Sequence, residues 1–201
     1  MKALVTGFEP FGGDRINASL EAVRRLPDNA GAIEIVTAAL PTSYARSLPA
    51  LEAAIALARP DIVLCVGQAG ERAALCLERV AVNVQDAEIP DNDGLRPVDA
   101  PIVAGGPAAY LATLPVRAAV AALRAEELPA QLSMSAGTFV CNHVFYGLMH
   151  AAAGRRHAFR AGFLHVPRLP QTGRDAPSMA LDDIVKGIAI VLEAAGPGTV
   201  A

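Results

Sequence analysis

The chain is poor in the features that mark several large classes of protein. Its cysteines are Cys65, Cys76 and Cys141, and no CxxC pair occurs. An odd cysteine count argues against a disulfide framework in a chain expected to be cytosolic, and a structural zinc site lacks its ligand spacing. No block of Lys or Arg is long enough to follow a phosphate backbone, and the formal net charge is -3. The densest basic stretch, Arg155-Arg156-His157 with Arg160 nearby, reads as a helix end or loop, so a nucleic-acid partner is not expected. No apolar run approaches the roughly 18 residues of a membrane-spanning helix. The run from Ile184 to Ala195 is broken by Lys186, Gly187 and Glu193. Met1 to Gly7 is too short for the core of a signal peptide and reads as a first strand. The expected location is therefore the cytoplasm, with no membrane association.

What the chain does have is an apolar excess. Of its 201 residues, 53% are hydrophobic and 18% charged, which is richer than an average soluble domain. Alanine supplies much of the surplus, and a subunit interface is one place for it, since obligate contacts resemble a core cut in half. The length favours one domain spanning residues 1–201.

Strand-like runs alternate with helical ones. Strands are expected at Lys2 to Thr6, Ile33 to Ala39, Asp61 to Val66, Gln131 to Ser135 and Ala161 to Val166, with Arg79 to Val84 near an edge. Helices are expected at Ser19 to Arg25, Ser43 to Arg59, Val116 to Glu127, Cys141 to Ala153 and Ser178 to Ala195. Asn17 or Ser19 is expected to cap the first, Thr42 or Ser43 the second, and Gly196-Pro197 to end the last. The alternation predicts an α/β three-layer sandwich, a mostly parallel twisted sheet with helices on both faces. Such sheets bind ligands at the carboxyl ends of their strands. That rule selects the loops Gly7 to Ala18 and Gly67 to Leu77, the turn before Cys141, and the segment after His165. The long Pro- and Gly-containing stretch from Ile89 to Pro115 is a candidate lid, binding loop or interface.

Cys141 follows a strand-to-helix turn and falls in the first turn of a helix, where unpaired N–H groups and the helix dipole favour a thiolate and can hold an oxyanion. Position alone does not separate that reading from a small buried hydrophobe. His165, at the end of a strand and before Pro167, stands at the same sheet edge and can serve as general base. A strand-end histidine bonded to backbone is its alternative. His143 lies two residues from Cys141 and faces elsewhere. Glu78 is the candidate acid that orients the imidazole, against the alternative of a surface glutamate. Cys65 reads as core and Cys76 as structural. Phe8 and Phe11, in a glycine-rich loop that lacks both phosphate-binding signatures, can wall a small apolar pocket or simply pack beneath it.

Several segments, in one order along nearly the whole chain, resemble the pyroglutamyl peptidase I family of cysteine peptidases. They are Thr6-Gly7-Phe8-Glu9-Pro10-Phe11-Gly12-Gly13 with Asn17, Val66-Gly67-Gln68-Ala69-Gly70, Glu78-Arg79-Val80-Ala81-Val82-Asn83 and Ile89-Pro90-Asp91-Asn92-Asp93-Gly94. Gly105-Gly106-Pro107-Ala108-Ala109-Tyr110, Ser135-Ala136-Gly137-Thr138-Phe139-Val140-Cys141-Asn142 and Gly162-Phe163-Leu164-His165-Val166-Pro167 complete the set. The resemblance implies a Cys141–His165–Glu78 triad, removal of an N-terminal pyroglutamyl residue through a thioester, no metal or other cofactor, and a homotetramer. It also implies that Phe8 and Phe11 sandwich the lactam, that Gln68 and the backbone at Phe139 and Val140 bond its amide edges, and that Ile89 and Asn17 add contacts. Arg72 is similar to a family arginine near the oxyanion. The chain departs from the family pattern at Ala18, Glu71, Cys76-Leu77 and Arg168. A lactam-binding protein without turnover, or a phosphorolytic enzyme on the same kind of sheet, are the other readings.

Overall fold

The computed structural model describes residues 1–154, 159–170 and 177–196. The basic stretch Arg155-Arg156-His157 and the expected helix stop at Pro197 lie outside the described residues. In chain order the elements are β1 (Lys2–Phe8), α1 (Ala18–Arg24), β2 (Asn29–Ala30), β3 (Ile33–Leu40), α2 (Ser47–Ala58), β4 (Ile62–Gln68), β5 (Leu75–Glu78) and β6 (Val80–Val82). They continue with β7 (Ala109–Leu111), α3 (Val116–Ala125), β8 (Ala130–Ser133), α4 (Val140–Gly154), β9 (Arg160–Val166) and α5 (Leu181–Ala194).

Seven strands form one sheet in the order β2-β3-β1-β4-β9-β5-β8. Its centre is the parallel set β3, β1, β4 and β9. β4 is buried along its whole length, as a strand covered on both faces must be, and its Ile-Val-Leu-Cys-Val run carries that burial. β2 pairs antiparallel with β3, and β5 pairs antiparallel with β9 and parallel with β8. The two strands beyond β9 therefore run against the central four.

Helices cover both faces, giving the expected three-layer arrangement. α1 packs on β1, β3 and β4 and meets α5, which meets α3. α5 turns Ile184, Ile188, Val191 and Leu192 inward at helical spacing. α2 packs on β1 and β3 and against α4, which lies on β4 and β9. α4 is buried nearly all round. Its outer side is covered by the excursion between β5 and α3, in which β6 and β7 pair as a two-stranded ribbon. Asn142, fully buried on α4, donates its amide to the carbonyls of Val82 and Val84 and accepts from the N–H of Val82. The Tyr146 hydroxyl donates to the carbonyl of Pro107.

Four expectations about elements need correction. The strand expected over Arg79 to Val84 is the short β6, outside the main sheet, and the main-sheet strand is β5 just before it. α2 begins at Ser47, because Ser43 closes a turn first: its Oγ accepts from the N–H of Arg46 and its carbonyl from that of Ser47. The position before α2, Arg46, makes no side-chain cap. α5 begins at Leu181, since Ser178 bridges Arg168 and Met179 bonds the Arg168 carbonyl. Among the described residues, no helix is long and apolar enough to cross a membrane.

Candidate active site

The carboxyl edge of the parallel strands gathers most of the residues singled out above. Cys141 is the second residue of α4, the helix packed on β4 and β9. Its sulfur lies over Gly67 of β4: a Cβ added at Gly67 would meet Cys141 Sγ at 2.9 Å and the Phe163 ring edge at 2.9 Å. Gly67 is the register partner of His165 on β9, and paired residues of neighbouring strands present their side chains on the same face about 4.8 Å apart. Phe163, two residues before His165, shares that face, and its ring stands 4.9 Å from the imidazole. The absent side chain at Gly67 is thus the space in which the sulfur approaches the histidine's strand.

His165 is 4% exposed, and its Nδ1 lies 2.8 Å from Glu78 Oε1. The same Oε1 accepts from Arg72, so it meets the ring as an acceptor, the imidazole proton sits on Nδ1 and Nε2 is left as the acceptor. Burial holds His165 below its ordinary value of 6.5; Glu78 pulls upward without overcoming this, and Arg72 adds to the lowering. Glu78 is fully buried, at the end of β5, against the alternative of a surface residue. It belongs to a strand and not to a loop. Because β5 runs antiparallel to β9, Glu78 pairs in register with Phe163 and approaches the imidazole from within the sheet.

Burial pushes the Cys141 thiol up to about 12; Glu78 and Cys65 add to the rise and Arg72 opposes it. Cys141 accordingly rests as a thiol, where the helix position alone had favoured a thiolate. Cys65 is fully buried, as expected, and burial likewise raises it to about 12. Cys76 is buried beside β8, donating to the Ala74 carbonyl and accepting from Gln131 Nε2.

Arg72 makes two contacts at the site. Its Nη1 donates to Glu78 Oε1 at 2.6 Å and its Nη2 to the Ser135 carbonyl at 2.8 Å. It therefore ties the buried carboxylate to the turn before α4. Glu71 is exposed and is not among the described residues with positive φ, so no glycine geometry is required there.

The candidate pocket is built from rings. Phe11 stands 5.8 Å from Phe139, and Tyr44 meets Phe139 edge-on at 5.7 Å. Phe8 is buried and packs on Phe163 at 6.3 Å, so the ring partner of Phe11 is Phe139 and not Phe8. Phe8 is a floor beneath the loop. Gln68 is 5% exposed and its Oε1 accepts the Ala18 N–H, which leaves its Nε2 as the group free to meet a ligand carbonyl. Ile89 reaches the Phe11 loop, its Cδ1 being 3.8 Å from where a Gly12 side chain would begin. Val140 is fully buried at the start of α4. Asn17 is also buried; its Oδ1 caps α1 at the Ser19 N–H and accepts the Ser19 hydroxyl, and its Nδ2 donates to the Glu9 carbonyl. It shapes the loop from beneath.

Sequence reasoning passed over three participants. Tyr44 follows the carboxyl end of β3, an end that the strand-edge rule covers but that carried no obvious chemistry. Burial, with Asp91 and Cys141 nearby, raises its phenol well above the ordinary value, so it remains a donor, here to the Thr138 carbonyl at 3.4 Å. Asp91 is buried and accepts the N–H groups of Tyr44, Asp93 and Leu95, which folds the stretch after Ile89 against α2 and the Phe11 loop. Asn92 completes this by donating to the Pro10 carbonyl. His143, as expected, faces away from Cys141: its Nδ1 lies 3.1 Å from Gln85 Oε1 and its ring meets Tyr44 edge-on.

A thiol over Gly67, a histidine on the adjoining strand and a buried carboxylate on its Nδ1 are of the kind of arrangement that covalent acyl transfer uses. Comparison with known proteins points the same way. The sequence pattern of the pyroglutamyl peptidase family matches residues 1–197. A pyrrolidone-carboxylate peptidase of Ralstonia nicotianae is 53% identical over 195 residues, covering 94% of this chain and 90% of that protein. The crystal structure of pyroglutamyl peptidase I from Bacillus amyloliquefaciens superposes with a TM-score of 0.94 at 46% identity, over 96% of each chain. That of the pyrrolidone carboxyl peptidase from Thermococcus litoralis superposes at 0.93 and 37% identity, over 96% of this chain and 92% of the other.

Proposed function

The chain belongs to the pyroglutamyl peptidase family of cysteine peptidases, and on that footing we propose that Cys141, His165 and Glu78 are the groups with which it works. It removes N-terminal pyroglutamyl residues from peptides. The observation that carries the assignment of groups is the buried Glu78–His165 contact beside a half-buried Cys141 whose sulfur fills the space over Gly67.

The chemistry follows from the protonation states. With a neutral thiol and a neutral imidazole, proton transfer from Sγ to Nε2 accompanies attack of the sulfur on the carbonyl that joins the lactam to the next residue. The first N–H groups of α4 have no carbonyl a turn earlier to bond, and they face the oxygen that becomes negative. Collapse breaks the C–N bond, and Nε2 returns its proton to the departing amine. A thioester on Cys141 remains. Water then attacks it with Nε2 as base, the C–S bond breaks, and the sulfur recovers its proton. Glu78 accepts from Nδ1 and stabilises the imidazolium, and Arg72 holds Glu78 in place.

In the pocket, Phe11 and Phe139 face the lactam, with Phe8 beneath and Ile89 beside them. Gln68 Nε2 and the backbone at Phe139 and Val140 meet its amide edges. A lactam lacks the charged amine of an ordinary N-terminus. A free ammonium would lose its hydration in such a site without a partner, at a cost of several kcal/mol, and that difference makes the enzyme selective.

We also propose that the whole chain acts as one catalytic unit in the cytoplasm and assembles as a homotetramer. Support for assembly comes from the apolar composition and from large side chains such as Val98, Leu111 and Met134, which are more than half exposed in the single chain. Light scattering of the purified protein tests this, and a monomeric mass at micromolar concentration would exclude it.

The decisive assay is release of a reporter amine from a pyroglutamyl amide, with the same amide of proline as control. Cys141→Ala is expected to lower kcat by on the order of 10⁴-fold or more. Full activity in that variant would remove Cys141 from the mechanism.

A further inference from the structure

Three of the loops around the site are joined by one ion pair that the chemistry above does not use. Arg168 lies three residues after His165, and its Nη1 donates to Asp14 Oδ2 in the loop between β1 and α1. Both side chains are only 13% exposed. The guanidinium crosses the loop after β4 closely enough that any side chain at Gly70 would fall inside it. That loop is itself tied to β9, the Ala69 N–H donating to the Val166 carbonyl.

Each end of the pair is anchored. Asp14 is coupled to Phe11 by a tight turn: the Asp14 N–H donates to the Phe11 carbonyl at 3.1 Å, across Gly12 and Gly13 with φ of 61° and 82°. Only glycine enters that backbone region without strain. On the other side, the Arg168 carbonyl accepts the Met179 N–H, and its backbone bridges Ser178. A movement of Phe11 away from Phe139 therefore has to carry Asp14 away from Arg168.

We propose that the Asp14–Arg168 pair is a clasp that holds the Phe11 loop in its closed position over the lactam pocket. It rests on the pyroglutamyl reading of the site and deepens it: the pair governs how firmly the ring is gripped and leaves the bond-making step alone. The sequence reason for Gly70 follows, since the guanidinium needs the space a side chain would fill. Asp14 and Arg168 are positioning residues, touching neither the nucleophile nor its base among the contacts described.

Removing either charge breaks the contact that ties the Phe11 loop to the segment after β9. Arg168→Met keeps the stem and deletes the charge; Asp14→Asn keeps the shape and deletes the opposite charge. Each is expected to raise KM for a pyroglutamyl amide about tenfold and to weaken inhibition by free pyroglutamate to the same degree, with kcat within about twofold of wild type. Both single variants break the same contact, so the KM of the double variant should be no higher than that of the worse single variant, whereas independent sites would multiply. Arg168→Lys should recover part of the loss.

Steady-state kinetics on these four variants, with a melting curve for each, decide the matter. If Arg168→Met does not fold, Asp14→Asn and the Lys variant carry the comparison. The clasp is supported by raised KM with kcat retained and by non-multiplying effects in the double variant. It is overturned by unchanged KM in both single variants, by a fall in kcat at constant KM, or by multiplicative effects. Absence of pyroglutamyl amide cleavage by the wild-type chain would instead overturn the functional reading beneath it.

Discussion

At the scale of single residues, the resting protonation of the site fixes its pH behaviour. His165 is held below 6.5 by burial and must be neutral to accept the thiol proton. The acid limb of kcat/KM should therefore have its midpoint below 6.5. A thiol raised to about 12 adds no limb near neutrality. Glu78 raises the histidine and Arg72 lowers it, so two substitutions should move the limb in opposite directions. Glu78→Gln is expected to shift it to lower pH, and Arg72→Ala to shift it upward; rate profiles from pH 4 to 9 check both signs. Glu78→Gln should also cost less in kcat than His165→Ala, because it disturbs orientation and leaves the base. Gly67 makes a separate residue-scale prediction. A methyl there would meet Cys141 Sγ and the Phe163 ring at 2.9 Å, so Gly67→Ala should displace the nucleophile by a fraction of an ångström to about 1 Å. A displacement of that order costs up to about a hundredfold in rate. Circular dichroism alongside the assay separates this from loss of the fold.

At the scale of elements, how much could be read in the sequence depended on whether local pattern or long-range pairing decided the outcome. β1, β3, β4 and β9 were legible because each is a long apolar run between turns, and α3, α4 and α5 because their apolar spacing is helical. β5 was not, since Leu75-Cys76-Leu77-Glu78 is four residues long and becomes a strand by pairing with β9 and β8. The same shortfall hid the setting of Glu78, whose burial comes from those two neighbours. The site residues drawn from strand ends and from Cys141 were visible by position. The contacts of Arg72 depended on a partner far along the chain, Ser135 lying 63 positions away, whereas those of Asn17 are local, to Ser19 and Glu9, and follow from how the loop folds. The stretch from Ile89 to Pro115, by its length and composition a candidate lid, binding loop or interface, is stitched down. Asp91 binds three N–H groups, Asn83 Oδ1 accepts from Ile102 and Val103, and Arg46 forks onto Asp93. Asp91→Ala strands the buried Tyr44 N–H and the part-buried N–H groups of Asp93 and Leu95, an unsatisfied buried donor costing about 1–3 kcal/mol. It is expected to lower stability by about 3 kcal/mol and to open this stretch to protease. Urea melts and limited proteolysis would register both, and an unchanged digestion pattern would contradict the stitching.

At the scale of the whole molecule, buried neutral histidines tie stability to pH. His143 is 7% exposed, and burial lowers it to about 4. The unfolded chain takes up a proton on this residue below about pH 6.5, whereas the folded chain does so only near pH 4. The unfolded state therefore binds more protons in that window, and stability falls as the pH is lowered through it, by about 3 kcal/mol from this residue. His165, also lowered, adds with the same sign. Urea midpoints measured from pH 7 to pH 4 should decline accordingly, and His143→Gln should flatten the decline.

The reversal of β5 reaches beyond the geometry of one carboxylate. Had the strand beside β9 been parallel, the acid would have come from a solvent-facing loop able to loosen while the sheet survived. Here it is part of an inner strand, between β9 and β8, and is fully buried. Heat inactivation and loss of secondary structure should consequently trace one curve, so that for this protein turnover serves as a gauge of the intact sheet.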